Sequence, residues 1–234
     1  MSALDPATLL SIWEHGLARH PLDRALLLLT LASPDTPVDA LADVPLGQRN
    51  QLLVSLRERL FGKSLELTAE CPACRERMEF PLPSEALPEK ALATGSIEVG
   101  GLHFQLPTTR HLAGISTLGD ADEAARALLR ACASTPEALP VDEQLDMLLA
   151  EVEARLDEAD PWADLSIALT CPVCEHQNKV LFDPGSVLWD ALDGEAQHLL
   201  DEVHLLASRY GWSEAEILKL SSMRRNAYLA RVLA

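Results

Sequence analysis

Aromatic residues are scarce in this chain: four Phe, four Trp and two Tyr in 234 residues, or 4%. A core must therefore be filled by Leu and Ala, which are abundant and favour helices, so a mainly helical protein is expected. Long apolar runs are missing too. The longest, Ala25 to Leu29 continuing through Thr30-Leu31-Ala32, is far short of the ~20 residues a membrane span requires. Basic residues are in deficit, 19 against 36 acidic, for a formal charge of −17. A field of that sign repels a polyanion, which argues against a general nucleic-acid binder. The N-terminus has no basic opening and no clean apolar stretch, and it carries Asp5 and Glu14. The expectation is a protein without a secretory signal, soluble and cytoplasmic, whose thiols are not oxidised.

Catalytic signatures are also wanting. The sequence has no Gly-rich phosphate loop, no nucleophile elbow and no metalloprotease helix motif. His198, Asp201, Glu202 and His204 gather on one helical stretch. A carboxylate-bridged metal pair would need a matching Glu-x-x-His on a second helix, and none exists. This group reads as a surface cluster, and the chain as a non-enzyme.

Against these absences stand two Cys-Pro-x-Cys motifs, Cys71-Pro72-Ala73-Cys74 and Cys171-Pro172-Val173-Cys174. Each follows a strand-like run (Leu65 to Glu70; Leu165 to Thr170) and precedes a second extended one (Arg77 to Leu82; Lys179 to Phe182). Strand, C-x-x-C turn, strand is half of a zinc ribbon, and two halves supply the four thiolates of a tetrahedral structural Zn²⁺ site. Four ligands leave no open position for water, which marks a structural rather than a catalytic ion. Three other readings compete. A thioredoxin-like centre would place the motif at the start of a helix in a βαβ pattern. Structural disulfides suit a secreted chain. Four unrelated buried thiols would not explain the repeated strand context. Cys132, inside a helical pattern from Asp122, reads as a small packed thiol. His176 reads as an exposed turn residue or a donor behind the ligands.

The expected fold class is α+β, mainly helical, with N- and C-terminal helices around a split Cys₄ zinc ribbon. Residues 1–62 form a helical segment: Asp5-Pro6 caps a first helix, His20-Pro21 restarts it, and a third runs from about Gly47 to Phe61 with Gly62 as its stop. The ribbon halves are 63–83 and 164–184. After the first motif Pro81, Pro83 and Pro88 make a stiff connector, and between the halves 84–163 is an inserted unit. A hairpin about Gly100-Gly101 and two acidic helices, near 121–133 and 141–159, complete it. Pro107-Thr108-Thr109 ends the hairpin at a possible cap. Residues 120–160 hold twelve acidic residues and three Arg; such a stretch is a solvated face or a surface that attracts a basic protein. Residues 185–234 are helical again, with Gly211 as a left-handed stop, Ser213 to Glu216 as a capping box and Ser221 or Ser222 capping the last helix. A DNA-reading role for this helical end is disfavoured by the acidity.

Several blocks together resemble one family. They are Ile12-Trp13-Glu14-His15-Gly16 with His20 to Leu29, Pro45-Leu46-Gly47-Gln48-Arg49-Asn50, the paired cysteine motifs, Phe104 to Arg110, and Tyr210 to Leu218 with Arg224 to Leu229. In this combination the chain resembles the T4-type baseplate hub assembly chaperones of contractile-tailed phages and contractile injection systems. The resemblance spans nearly the whole chain in scattered blocks, of which the cysteine pairs and the terminal block are the most specific. It implies a cytoplasmic, non-enzymatic protein that holds baseplate or hub proteins during assembly. Whether it then stays in the particle is left open. Cys71, Cys74, Cys171 and Cys174 are the expected Zn²⁺ ligands, and Tyr210, Trp212, Glu216 and Tyr228 the expected partner-binding residues. The competing readings are a structural baseplate component, a zinc-ribbon factor associated with nucleic acid, and a thiol redox protein.

Overall fold

The fold begins with helices whose starts are written locally. The structure, a computed structural model, describes residues 4–82, 87–89 and 95–233; Pro83 of the expected connector lies outside them. Asp5 accepts the Thr8 amide at 3.2 Å and Pro6 takes the first helical position, so α1 runs Pro6–Gly16. His20 and Pro21 do the same for α2, Pro21–Ala32. A single turn, α3 (Val38–Leu41), precedes α4 (Leu46–Phe61), which ends at Gly62. α8 (Pro184–Tyr210) is the longest helix described, and α1, α2 and α4 pack along it. Leu28, Leu29, Leu53, Leu188 and Leu192, all fully buried, meet where α2, α4 and α8 converge. Burying each such side chain contributes about 1.5–3 kcal/mol. Aliphatic packing therefore builds this body, as the composition implied.

Two antiparallel hairpins grow from that body. β1 (Glu66–Glu70) pairs with β2 (Arg77–Pro81), and β5 (Ser166–Thr170) with β6 (Gln177–Leu181). They are separate two-stranded sheets. Their registers coincide at an offset of one hundred positions: Glu66 faces Pro81 as Ser166 faces Leu181, and Glu70 faces Arg77 as Thr170 faces Gln177. Ile167, Phe182, Leu165 and Trp162 are buried between the hairpins and the body, against Leu67 and Phe80 of the first hairpin and Val54 of α4.

The segment between the hairpins has a core of its own. β3 (Ser96–Val99) and β4 (Leu102–Gln105) are joined by Gly100 and Gly101, with φ of 59° and 78°. Positive φ at both central positions is the tight turn that a Gly pair permits. Phe104 is fully buried under Leu129 of α6 (Ala121–Cys132) and Leu145 and Val152 of α7 (Glu143–Ala159). Thr108 caps α5 (Thr109–Ile115), with reciprocal bonds between Thr108 and His111. The C-terminus adds α9 (Glu214–Leu218) and α10 (Ser222–Val232), begun by Ser213 and Ser221 after Gly211 closes α8 in the left-handed conformation.

The His198–Glu202 group is not wholly a surface cluster: Glu202 is buried and accepts the Nε–H of Arg225 at 2.7 Å, with both side chains under a tenth exposed. Arg225 also donates to the Leu220 carbonyl at 2.9 Å. The pair ties α10 to α8 inside the protein. Desolvation makes an unpartnered charge there costly, so each residue requires the other.

Candidate metal centre

Each Cys-Pro-x-Cys sits in the turn of its hairpin, and the backbone explains why. The Cys71 amide donates to the Glu76 carbonyl at 2.9 Å, and the Arg75 amide to the Cys71 carbonyl at 2.8 Å. The second turn repeats both bonds, Cys171 to His176 and Glu175 to Cys171, each at 2.9 Å. Closing so tight a loop drives Arg75 and Glu175 into the left-handed region, with φ of 62° and 58°. A side chain with a Cβ resists that conformation, so its appearance at the same place in both turns marks one geometry formed twice. Neither motif opens a helix, unlike the thioredoxin arrangement.

The two turns bring all four sulfurs together across the interface between the hairpins. Cys71 Sγ lies 3.6 Å from Cys174 Sγ, and Cys74 Sγ 3.6 Å from Cys171 Sγ. All four sulfurs fall within 4.8 Å of one another. A disulfide needs sulfurs about 2.05 Å apart. A tetrahedron of thiolates on one ion, with metal–sulfur bonds of about 2.3 Å, has edges of roughly 3.8 Å. The cluster fits the tetrahedron and not the disulfide. Cys71 and Cys171 are buried against Met78, Ala69 and Leu169, whereas Cys74 and Cys174 face solvent. One side of the site is thus sealed by the strands and the other is open to water.

The crowded thiols titrate against one another. The Cys74 amide, with that of Ala73, draws the Cys71 thiol down to about 7. Cys74 receives the Glu76 amide, but the crowd of Cys174, Cys171 and Cys71 around it, together with desolvation, pushes its thiol up to about 12. Cys174 is likewise raised, its His176 amide outweighed by burial and by Cys71 and Cys171. Four sulfurs this close cannot all be ionised without a cation between them. Amides aimed at the sulfurs then favour the bound thiolates.

Other predicted site residues lie elsewhere. His176 is exposed and contributes its carbonyl, not its ring, to the second turn. Cys132 is buried on α6, 3.7 Å from His111 Nδ1, and burial pushes its thiol up to about 11. Tyr210, Trp212 and Tyr228 converge at the junction of α8, α9 and α10. Tyr210 stacks on Trp212 with centroids 4.8 Å apart, and Tyr228 meets both edge-on. Glu216 belongs to the capping box, its carboxylate held below the usual range by Ser213. All four therefore have structural tasks in the C-terminal turn.

Some polar connections escaped the sequence reading. Asp160 is buried and accepts the Gly47 amide at 2.9 Å, tying α4 to the end of α7. A Cβ at position 47 would lie 1.6 Å from Asp160 Oδ1, so any larger residue must displace the carboxylate that accepts the Gly47 amide. Asn50 donates to the Trp162 carbonyl at 2.8 Å and accepts from Arg49. Partners more than a hundred positions apart leave no local trace, although Gly47 inside a helical pattern is a hint of close approach.

In comparisons with known proteins, no family model matches this chain, and neither does any curated protein or solved structure. Among the described residues, no helix is long and apolar enough to cross a membrane.

Proposed function

We propose that this chain is a non-enzymatic assembly protein, a chaperone or adaptor for the baseplate hub of a phage tail or contractile injection system, stapled by one structural Zn²⁺. Four clustered thiolates carry the metal part of this reading: the all-sulfur set suits zinc, and four ligands fill its tetrahedron. The ion's task is mechanical. It joins residues one hundred positions apart, and a cross-link closing a loop of that length removes unfolded-state freedom equivalent to about 4–5 kcal/mol.

The blocks that resemble the hub assembly chaperones support the partner assignment, together with an acidic surface suited to basic protein segments. Cells expressing the chain with the baseplate and hub genes encoded beside it provide the test. Capture of a hub protein, lost above moderate salt, supports the assignment. A monomer that ignores all of them rules it out, and salt-sensitive binding to DNA or RNA favours the nucleic-acid alternative.

A further inference from the structure

A second feature stands apart from the cysteines. A cavity of about 270 Å³ opens between α2, α4, α5 and the start of α8. Leu22, Leu46, Leu112, Leu165 and Phe182 line it, and Leu181, 69% exposed, stands at its mouth. In its wall is Arg49, only 6% exposed. The guanidinium donates through Nε and Nη2 to Asn50 Oδ1 at 3.0 and 2.9 Å, and through Nη1 to Thr109 Oγ1 at 3.3 Å. These bonds use three of its five N–H groups. Among the described residues, no carboxylate lies within ion-pair distance of it.

An arginine buried without an anion in ion-pair contact is unusual, because desolvation of the charge is then only partly compensated. Burial accordingly pulls the Arg49 pKa below its ordinary value, with Asp183 opposing from a distance. Asp183 also lines the cavity, yet its oxygens are committed to the start of α8: they accept the amides of Gly185 and Ser186 and the Ser186 hydroxyl. The cavity thus offers a fixed cation at its wall, apolar sides and an open mouth.

We infer that this cavity binds a carboxylate carried on a short apolar stem, the head meeting Arg49 and the stem lying against Leu22, Leu112 and Leu165. Two sources present that chemistry, a free aliphatic acid and the C-terminal residue of a protein ending in Leu or Val. A planar guanidinium with two uncommitted N–H groups suits a carboxylate head, and the void is of side-chain size. This site stands independently of the baseplate assignment.

The test titrates the full-length, metal-loaded protein with 4-methylpentanoate, the corresponding alcohol and the corresponding amine, followed by amide NMR shifts and calorimetry. Two acetylated hexapeptides ending in Leu, one with a free and one with an amidated C-terminus, form the second arm. The acid should bind saturably, at least about tenfold tighter than the alcohol, and the amine not at all. Leu112→Trp, which fills the void without removing the cation, should weaken the acid by about tenfold or more. Arg49→Met should abolish the preference of acid over alcohol. Should Leu112→Trp lose its dispersed spectrum, Leu181→Trp at the exposed mouth serves as the blocking variant in its place, and the acid-against-alcohol comparison on the wild-type protein tests the cation without Arg49→Met. Tighter binding of the free-ended peptide, lost on amidation, assigns a protein C-terminus; binding of the acid alone assigns a small molecule. No saturable binding of acid or peptide up to about 10 mM, equal affinity for acid and alcohol, or acid binding unmoved by the blocking variant would each overturn the inference.

Discussion

The helical body and the pair of cysteine hairpins are held together by different forces. In the body, Leu28, Leu29, Leu53, Leu188 and Leu192 are sealed from water and α8 serves as a spine. Among the described residues, the buried members of the cluster at the hairpin tips are Cys71, Met78 and Cys171. Two-stranded hairpins are marginal on their own, and these two share no strand pairing. What joins their tips is the four-sulfur cluster, with Met78, Ala69 and Leu169 packed beside it. Apolar packing tolerates partial loss, since cost scales with the volume removed, whereas a four-ligand site fails as a unit.

That contrast sets the order of expected effects. Replacing Cys71, Cys74, Cys171 or Cys174 by Ser should abolish tight metal binding and separate the hairpin tips, because structural zinc contributes about 10–16 kcal/mol to the folded form of small domains. Hydrogen exchange should show β1, β2, β5 and β6 losing protection while α2 and α8 keep theirs. Uniform loss across the chain would erase the distinction between the regions. Cys132→Ser, by contrast, should retain the metal.

Next comes the buried pair in the helical part. Arg225→Met leaves Glu202 charged and buried, and should cost about 3–5 kcal/mol in denaturant unfolding with metal content unchanged. Leu28→Ala should cost about 2–5 kcal/mol by the cavity it leaves, again with full metal. The smallest effect belongs to the C-terminal capping box, where Ser213→Ala should lower stability by about 0.5–2 kcal/mol. If any of these three releases metal stoichiometrically, body and hairpins are one cooperative unit rather than two.

Local signals were readable from sequence and long-range ones were not. Asp5, the Gly100-Gly101 turn, Gly211 and the Ser213 box act within a few residues, and each appears where the sequence placed it. The cysteine pairs were legible because ligand spacing and flanking strands repeat. The register identity of the two hairpins was hidden, since Leu65, Cys71, Pro72 and Cys74 are the identities shared with the second copy over 65–82. Glu202 departs from the expected surface cluster because helical spacing identifies a face without saying whether another helix covers it. Arg49 and Asp160 carried no sign of burial, as charged residues are mostly exposed and their partners arrive from remote segments.

The most direct test of the shared four-thiolate site is the metal content of the purified full-length protein beside its Cys171→Ser variant. One zinc per wild-type chain, resistant to dialysis, and none in the variant is the expected result, with cobalt substitution giving the spectrum of a tetrahedral all-sulfur site. A metal-free wild-type protein that is equally folded, with all four thiols reacting independently, would contradict it.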